Sequence, residues 1–349
     1  MMRVLVCGAG GFIGHHLVAR LKAEGCWVRG ACVKEPEFAA SAADEFHVVD
    51  LRDPAACRDA CRSIDTVFQL AADMGGMGFI AEGGHARIYR NNALINIHML
   101  EAARLHDATR YFFASSACIY PESKQTTTEN AGLREFDAYP AAPQDAYGWE
   151  KLTAEKLAEY YRRQYGMQTR IARFHNIYGP LGSWHGGREK APAAICRKVA
   201  VAKLVPELGR VVEVWGDGRA TRSYCWIDDC ITGILALTRS AYVAPLNIGS
   251  DESVSVDGLV QLAAHAAGIT VEIKHVEGPE GVRGRNSNNE MCRRVLDWCP
   301  PTSIADGIRQ LYPWVEGQVK SILARGADPR ELARGHRYAP APHSAAAAA

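Results

Sequence analysis

The stretch GAGGFIG at residues 8–14 constrains the fold more than any other part of the sequence. It follows a short apolar, β-branched run and precedes a segment with apolar residues at helical spacing, which ends at Gly25. Gly8 permits a tight turn, Gly11 lets backbone amides approach a pyrophosphate at the helix N-terminus, and Gly14 permits close packing of helix on strand. Because both flanks fit this strand–turn–helix unit, the stretch predicts a dinucleotide-binding site.

Strands and helices alternate through the first half of the chain. The strands are predicted at 3–8, 26–33, 45–51, 66–72, 111–117, 169–179 and 245–250, and the helices at 12–25, 91–106 and 146–165. Alternation of this kind calls for a parallel sheet with helices on both faces. The predicted fold class is therefore α/β, a doubly wound parallel sheet (Rossmann) with a smaller C-terminal substrate-binding lobe.

The glycine-rich run GPLGSWHGGREKAP (179–192) interrupts the alternation and marks the start of a second lobe. The strand predicted at 245–250 returns to the sheet, so the first domain is expected to be discontinuous. We predict a dinucleotide-binding domain at 1–180 and 226–258 and a substrate-binding domain at 181–225 and 259–335. The alanine-rich end at 336–349 is predicted to be a disordered tail.

Composition narrows the possible partners and the compartment. With 40 Lys+Arg against 39 Asp+Glu, the net charge of +1 favours neither nucleic acid nor an anionic membrane surface as a partner. No apolar run is long enough to span a bilayer. The 11 cysteines lack paired CxxC spacing and a supporting histidine cluster, which argues against a metal site and for a reducing compartment. We therefore expect a soluble, cytoplasmic protein without a metal.

The residues at the adenosine end of the predicted dinucleotide site depart from the usual pattern. An acidic residue about 20 positions after the glycines normally binds the ribose hydroxyls, but Cys32 occupies that place. A thiol cannot accept the two hydrogen bonds that a carboxylate accepts. Arg29 and Lys34 leave open a 2′-phosphate, hence NADP, or are solvated charges. Asp50, which ends the third strand, is a candidate contact for the adenine amino group or a turn residue.

The stretch AYGWEK places Tyr147 and Lys151 four residues apart, on one face of a predicted helix. The lysine charge is expected to lower the pKa of the tyrosine toward that of a useful base. Such a pair downstream of a dinucleotide turn, with Ser116 ending the preceding strand, resembles the hydride-transfer set of the short-chain dehydrogenase/reductase superfamily, extended type. The resemblance implies NAD as the cofactor, contacted by Gly8, Gly11, Phe12, Ile13, Gly14, Cys32, Asp50, Leu70, Tyr147 and Lys151.

Seven longer motifs resemble the GDP-mannose 3,5-epimerase family in their order and spacing. They are AADMGGMGFI (71–80), SSACIYPE (115–122), PQDAYGWEK (143–151), RFHNIYGP (173–180), GGREKAPAA (186–194), WGDG (215–218) and GPEGVRGRNS (278–287). Two of them, ADMGGMGF and GGREKAPAA, go beyond what the superfamily shares. The resemblance implies an epimerase acting on GDP-mannose or a related nucleotide sugar. Resemblance to the superfamily further implies a homodimer formed through the helices near 91–106 and 146–165.

Matching these motifs residue by residue implies roles for several side chains. Cys118 and Lys190 correspond to an acid/base pair, and Tyr147 to the redox base, with Ser116 and Lys151 beside it. The implied substrate contacts are Gly75, Ser116, Ala117, Cys118, Asn176, Glu189, Lys190, Ala191, Lys198, Ala220, Thr221, Arg222 and Arg285. Taken singly, Cys118 also fits a packing role, and Lys190 also fits a loop charge.

This residue set suits epimerisation at carbons next to a transient ketone. The hydrogens at C3 and C5 of a hexose become acidic when C4 is oxidised, so that a base removes one and an acid opposite returns another. The hydride then returns to C4, and the reaction has no net redox change. A thiol with a reference pKa of about 8.5 suits one role. A desolvated lysine, whose pKa burial lowers from about 10.4, suits the other.

Departures from the family leave the product and the reaction class open. Cys32 replaces the ribose-binding acid, and Ala220 stands where the family typically carries a glutamine. The product is GDP-L-galactose by inversion at C3 and C5, or GDP-L-gulose by inversion at C5 alone. Two alternatives are a GDP-4-keto-6-deoxymannose epimerase-reductase that consumes NADPH, and a non-catalytic NAD-binding regulator. The GGREK motif opposes the first alternative, and the intact Ser116, Tyr147 and Lys151 set opposes the second.

Overall fold

The structure, a computed structural model, describes residues 1–75, 84–129, 131–278 and 281–334. The strands are β1 Arg3–Cys7, β2 Trp27–Cys32, β3 Glu45–Val48, β4 Thr66–Gln69, β5 Arg110–Ser116, β6 Gln168–Phe174, β7 Ile177–Tyr178, β8 Val211–Trp215, β9 Thr221–Ser223, β10 Cys225–Trp226, β11 Leu246–Ile248, β12 Ser253–Ser255, β13 Glu272–Val276 and β14 Gly284–Arg285. The helices are α1 Phe12–Ala23, α2 Pro54–Cys61, α3 His85–Leu105, α4 Ala146–Tyr165, α5 Ala191–Leu204, α6 Ile227–Arg239, α7 Val256–Ala267, α8 Glu290–Leu296, α9 Ile304–Ala324 and α10 Pro329–Arg334. Short 3₁₀ helices cover Ala117–Ile119, Glu122–Lys124, Glu135–Ala138 and Pro206–Leu208.

Seven of the strands form one parallel sheet, in the order β11-β6-β5-β4-β1-β2-β3. The chain runs outward from β1 to β3 on one side, and then from β4 to β11 on the other side. This reversal of strand order opens a crevice at the carboxyl ends of the strands, where open α/β sheets bind ligands. The sheet confirms the predicted α/β, doubly wound fold class.

Alternate residues of the central strand pack on opposite faces of the sheet. Val4 and Val6 of β1 belong to a core that includes residues of α1 and α6. Leu5 and Cys7 belong to a second core that includes residues of α2, α3 and α4. All four side chains are fully buried. Burial on both faces explains why the parallel strands appear in the sequence as continuous apolar runs.

The strand predicted over 169–179 is two strands in the structure. β6 ends at Phe174, and β7 pairs with β10 instead of with β11. Asn176 lies between them in a left-handed backbone conformation, with a φ of +46°, which asparagine tolerates better than most residues. The break directs the chain out of the main sheet, a change that an apolar run alone does not predict.

Two helices also differ from the sequence-based prediction. α3 begins at His85 rather than near residue 91, and α2 is absent from the prediction. Asp53 caps α2, since its carboxylate accepts a hydrogen bond from the Ala55 N–H at 2.8 Å, and Pro54 follows it. An aspartate followed by proline is a helix-start signal, so the sequence did contain the information for α2.

The C-terminal lobe packs α5 against α7, α9 and α10 and carries two small sheets, β13-β8 and β12-β9-β14. β9 pairs with β14 in parallel, and this register puts Arg222 opposite Arg285. Two predicted substrate contacts from distant parts of the chain thus become neighbours. No described helix has the length and apolarity needed to cross a membrane.

Candidate active site

The turn between β1 and α1 is built around glycines. Gly8 has a φ of +79°, and a Cβ on Gly14 would lie 2.2 Å from the Gly8 carbonyl oxygen. A Cβ on Gly10, which the motif did not single out, would lie 2.0 Å from the Lys34 carbonyl oxygen. Since no side chain fits at such distances, strand, turn and helix pack this closely only with glycine at these positions.

The N-terminus of α1 is arranged to receive an anion. Gly11 is its N-cap and provides no side-chain cap, and the first helical turn contains no acidic residue. The first backbone N–H groups therefore keep their hydrogen-bonding capacity, and the helix dipole favours a negative charge. Phe12 and Ile13 begin the helix, and Leu70, whose N–H donates to the Cys7 carbonyl at 3.2 Å, lies against the turn. This cradle fits the pyrophosphate of NAD.

At the predicted ribose position, Cys32 ends β2 and is half-buried. Arg29 is not available for a 2′-phosphate, because its guanidinium is buried, donates to Glu45 at 2.8 Å, and donates to two backbone carbonyls near the end of α2. Lys34 forms an exposed ion pair with Glu37 at 3.4 Å. The suggestion that Arg29 selects NADP is therefore wrong.

The Asp50 carboxylate, a predicted adenine contact, already has a partner. Arg52 donates to it from Nε at 2.9 Å and from Nη2 at 2.5 Å. These hydrogen bonds hold the pKa of Asp50 below its ordinary value. An adenine contact would use the oxygen lone pairs that remain.

The three redox candidates lie where β5 ends and α4 begins. The Ser116 hydroxyl accepts a hydrogen bond from the Cys118 N–H at 3.2 Å and lies close enough to Tyr147 to influence its pKa. The Lys151 ammonium lies 5.6 Å from the centre of the Tyr147 ring and donates to the Ala114 carbonyl at 3.0 Å. The structure therefore brings Ser116, Tyr147 and Lys151 together.

The pKa of Tyr147 is raised in this environment, whereas the sequence pattern predicted that it would be lowered. Burial raises it well above its ordinary value, negative charge at Cys118 and Glu150 adds to the rise, and Ser116 opposes it. Burial also lowers the pKa of Lys151, against the nearby carboxylates. Desolvation dominates because both side chains are buried in the protein.

A cavity of about 310 Å³ opens at the carboxyl end of the sheet. The predicted residues that line it are Gly75, Ser116, Ala117, Cys118, Tyr147, Asn176, Glu189, Lys190, Ala191, Lys198, Ala220, Arg222 and Arg285. Lys151 is buried behind this lining. Thr221 is not part of the lining, and its hydroxyl donates to the Thr128 carbonyl at 2.7 Å. Almost all of the implied substrate contacts therefore meet at one place.

Cys118 is held next to a guanidinium. Arg285 donates from Nη1 to the Cys118 sulfur at 3.3 Å and from Nε to Gln125 Oε1 at 2.5 Å. Gln125 is fully buried, and its amide nitrogen donates to the carbonyls of Tyr120 and Pro121. This fixed amide orients the guanidinium toward the thiol. Motif matching missed Gln125, because no local pattern links it to an arginine 160 residues away.

Lys190 is the N-cap residue of α5 and lines the same cavity as Cys118. Burial lowers the pKa of its ammonium group, against the attraction of Cys118. The preceding loop is attached to the opposite wall, where Arg188 donates to the Met74 carbonyl at 3.1 Å. Lys190 therefore combines a desolvated amine with a position facing a thiol.

Further cations line the cavity. Burial and the nearby Arg197 lower the pKa of Lys198 to about 8, and burial and Arg285 lower the pKa of Arg222 to about 10. Glu189 offsets little of this charge, since it forms a buried ion pair with Arg197 at 3.0 Å. Crowded cations of lowered pKa indicate a site for an anionic ligand.

The cavity also contains residues that motif matching did not identify, among them Trp215, Tyr224 and Arg334. Arg334 ends α10, and this helix is joined to α5 by a hydrogen bond from Arg197 to the Leu332 carbonyl. The WGDG motif is a sequence signal for Trp215 alone. Tyr224 and Arg334 could be found only from the fold.

All eleven cysteines are free thiols. Burial raises the pKa of Cys57 and of Cys61 to about 12, so these thiols stay protonated and unreactive. Cys118 differs because it faces the cavity and a guanidinium. Within the described ranges, no group of three or more His, Cys, Asp or Glu side chains could hold a metal ion.

Known proteins resemble this chain in sequence and in fold. The model of the NAD-dependent epimerase/dehydratase family matches residues 4–249. Over 329 residues the chain is 47% identical to GDP-mannose 3,5-epimerase of Arabidopsis thaliana, and the match covers 94% of this chain and 85% of the relative. The same identity and coverage hold for GDP-mannose 3,5-epimerase 1 of Oryza sativa subsp. indica.

The fold is also that of a solved nucleotide-sugar epimerase. The UDP-glucose 4-epimerase of Thermus thermophilus, solved in complex with NAD, matches with a TM-score of 0.75 at 24% identity. The match covers 90% of this chain and 99% of that chain. At this identity the likeness concerns the fold, whereas the family match and the two plant relatives extend over most of the sequence. The chain belongs to the NAD-dependent epimerase/dehydratase family and, within it, to the family of the GDP-mannose 3,5-epimerases.

Proposed function

We propose that the protein is a nucleotide-sugar epimerase that converts GDP-D-mannose to GDP-L-galactose, GDP-L-gulose or both, without net oxidation. The observation that carries the proposal is that a thiol and a desolvated amine, Cys118 and Lys190, line the same cavity as Ser116 and Tyr147. Hydride transfer needs only the second pair, so the first pair calls for proton transfer at carbon. The identity to two GDP-mannose 3,5-epimerases supports the choice of substrate.

Ser116, Tyr147 and Lys151 carry the redox part of the proposed reaction. Bound NAD supplies a hydride acceptor for C4 and later returns the hydride. As the base, Tyr147 is the phenolate before it takes the proton of the C4 hydroxyl, and Ser116, which lies near the tyrosine, orients that hydroxyl. The buried Lys151 ammonium lies near the ring and stabilises the phenolate, which the proton transfer neutralises.

Cys118 and Lys190 carry the proposed proton transfers at carbon. Because burial lowers the pKa of Lys190, more of it is the neutral amine that can accept a proton near neutral pH. Arg285 contacts the Cys118 sulfur and stabilises negative charge on it after it donates a proton. One group removes the proton α to the C4 ketone and the other returns one to the opposite face of the ring, which inverts the centre.

Lys198, Arg222 and Arg285 are the proposed contacts of the anionic diphosphate. Their crowding in the cavity, with lowered pKa values for the first two, supports this assignment. A diphosphate there stabilises the protonated forms of both. Ala220 lines the cavity without a hydrogen-bonding side chain, so the choice of product is left to the remaining contacts.

Product analysis in deuterated water tests the proposal. Incubation of the NAD-loaded protein with GDP-mannose is expected to place solvent deuterium at C5, and at C3 if both centres invert, with hydrogen retained at C4. NMR identifies the labelled positions and the sugar formed. Absorbance at the reduced-nicotinamide band should show no net change over many turnovers.

Two outcomes would contradict this function. A stoichiometric loss of reduced nicotinamide would favour the GDP-4-keto-6-deoxymannose epimerase-reductase. Absence of turnover with every nucleotide sugar tried would favour a non-catalytic NAD-binding regulator. Lys190 in the cavity opposes the first alternative, and Ser116 with Tyr147 opposes the second.

We further infer the division of the chain into domains. Residues 1–180 and 226–258 are the proposed cofactor domain, which is supported by their shared seven-stranded sheet. Residues 181–225 and 259–335 are the proposed nucleotide-sugar domain, supported by the β13-β8 sheet and the packing of α5 on α9. In the β12-β9-β14 sheet, β12 pairs with β9 across the proposed boundary. The predicted tail at 336–349 lies outside the described residues.

A homodimer through α3 and α4 is the proposed assembly. Tyr89 and Ile97 of α3 and Trp149 and Tyr160 of α4 are large apolar side chains exposed on these helices, as expected for an interface between copies. Sedimentation equilibrium should give twice the chain mass, and Trp149→Asp/Tyr160→Asp should give the monomer. A parent protein that sediments as a monomer would contradict the dimer.

A cytoplasmic location is proposed from the free state of the eleven cysteines, which suits a reducing compartment. Neither nucleic acid nor a membrane is proposed as a partner, since the net charge is only +1. Localisation of a tagged full chain by microscopy checks the compartment.

A further inference from the structure

A second cavity, of about 590 Å³, lies between α4, the segments 134–139 and 242–245, and α8. We call it the accessory groove. It is larger than the active-site cavity and shares no lining residue with it. Ligand pockets typically measure ~300–1,000 Å³, so the groove has room for a ligand of nucleotide size.

Three arginines of the groove, Arg134, Arg162 and Arg294, form no ion pair in the described parts of the chain. Arg162 is near enough to Glu159 to lower the pKa of that carboxyl, but Glu159 is in ion pairs with Lys156 and Arg163. The Nε atom of Arg162 is buried and has no hydrogen-bond partner. By contrast, Arg173 in the same groove forms an ion pair with Glu155 at 2.7 Å. A buried donor without a partner is costly, and an anion in the groove would satisfy it.

The acidic residues of the groove do not cancel this positive charge. Glu155 and Glu159 are each in an ion pair with a cation that also lines the groove. Glu135 accepts a hydrogen bond from a backbone N–H at 3.0 Å, and burial raises its pKa, which favours the neutral form. Glu290 is an exposed carboxylate of the rim. Three unpaired guanidinium groups therefore outweigh the acids.

Two exposed aromatic rings line the same groove. Phe136 is 68% exposed and Tyr139 is 47% exposed, so both ring faces are accessible to a ligand in the groove. The Arg134 guanidinium lies over the Phe136 ring at 5.9 Å, and the Lys156 ammonium lies over the Tyr139 ring at 5.3 Å. Exposed rings next to cations are the combination that binds a planar base and its phosphate.

We propose that the accessory groove is a second binding site for a phosphorylated nucleoside, with the phosphate at Arg162 and Arg294 and the base against Phe136 or Tyr139. Free phosphate would use the arginines but would leave the rings exposed. The volume and the aromatic wall therefore favour a whole nucleotide over a small inorganic anion.

The groove borders the proposed dimer face on α4. Glu155, Glu159 and Arg162 follow helical spacing and form the stripe that lines the groove. Lys156 also lines it and lies one turn before Tyr160, which belongs to the proposed dimer face. A homodimer through α3 and α4 would therefore meet the groove at Lys156.

One ion pair connects the groove to the active site. Glu155 accepts hydrogen bonds from Arg173 and, at 2.5 Å, from the hydroxyl of Ser115. Ser115 immediately precedes Ser116 in β5. A nucleotide in the groove would compete for Arg173 and has a short route by which to alter the position of Ser116.

Equilibrium dialysis of labelled GDP against the NAD-loaded protein tests the proposal. The parent should bind two GDP per chain, one in each cavity. Arg162→Ala/Arg294→Ala should bind one GDP per chain, and its KM for GDP-mannose should be unchanged. Arg222→Ala should lose the GDP of the active site and keep the GDP of the accessory groove. Arg58→Ala/Arg330→Ala, which removes two exposed arginines elsewhere, should still bind two.

Two results would overturn the proposal. One is that the parent binds a single GDP per chain and Arg222→Ala binds none. The other is that Arg162→Ala/Arg294→Ala still binds two. Phe136→Ala removes only an exposed ring and cannot disturb the core, so it provides an independent test. It should weaken the binding of the second GDP about tenfold, because the base loses the ring on which it stacks. Failure of the proposed epimerase function would appear separately, as absence of turnover at any GDP stoichiometry.

Discussion

The proposed redox group and the proposed acid/base group meet at one cavity, but the chain assembles them in different ways. Ser116, Tyr147 and Lys151 come from the end of β5 and the first turns of α4, two elements that pack directly on each other. Cys118 and Lys190 come from a 3₁₀ helix and from the loop before α5. The first group is part of the buried sheet layer, and the second depends on contacts between distant segments.

Because the two groups come from different elements, the protein holds their side chains in place to different degrees. Lys151 is buried and bound to a carbonyl of β5, so the redox group is as rigid as the core. Lys190 depends on the contact of Arg188 with Met74, and Cys118 on the contact of Arg285. A fold of this kind can keep its redox chemistry while loops around it change the proton chemistry.

Replacing one residue from each group should separate the two halves of the reaction. Tyr147→Phe removes the group that takes the C4 proton, so kcat should fall about 10³-fold. No reduced nicotinamide should form in a single turnover, and no deuterium should enter the sugar. This is the largest effect that we expect.

Cys118→Ala should reduce product formation by a similar factor and for another reason. The redox group remains, so transient reduced nicotinamide should still appear in stopped-flow absorbance, while inversion stops. Lys190→Ala should behave in the same way. Cys299→Ala, which removes another half-buried thiol, is the matched control and should act as the parent. Parent-rate epimerisation by Cys118→Ala would reduce this cysteine to a packing residue.

Lys198 should make the KM for GDP-mannose depend on pH between pH 7 and pH 9, a range set by the pKa of Lys198 itself. Since its pKa is lowered to about 8, its ammonium is present below that pH and is lost above it. The KM for GDP-mannose should therefore rise several-fold from pH 7 to pH 9, because the neutral amine binds a diphosphate poorly. In Lys198→Arg, which keeps its charge, this rise should disappear. A KM in the parent that does not vary over this range would exclude Lys198 as a phosphate contact.

The two groups also differ in how far the sequence predicted them. The glycine turn and the Tyr147–Lys151 pair are local patterns, and local spacing was enough to locate them. The route of the chain at Asn176 and the support of Arg285 by Gln125 were not predicted, because they depend on contacts between distant residues. The net direction of the Tyr147 pKa was predicted wrongly, since spacing reports proximity but not desolvation.

The smallest effect is expected at the cofactor end, where Cys32 replaces an acid. With a thiol there, the adenosine ribose lacks the two charge-assisted hydrogen bonds of a carboxylate. Cys32→Asp should therefore bind NAD several-fold more tightly. It should bind NADP more weakly, because the carboxylate repels the 2′-phosphate. Val33→Asp adds the same charge at the neighbouring position, which is 66% exposed, and should change neither affinity. Isothermal titration of both dinucleotides into the cofactor-stripped parent and the two variants measures the six dissociation constants. Weaker NAD binding in Cys32→Asp would mean that the ribose hydroxyls do not lie at the end of β2, and the fit of NAD to this crevice would have to rest on the glycine turn alone.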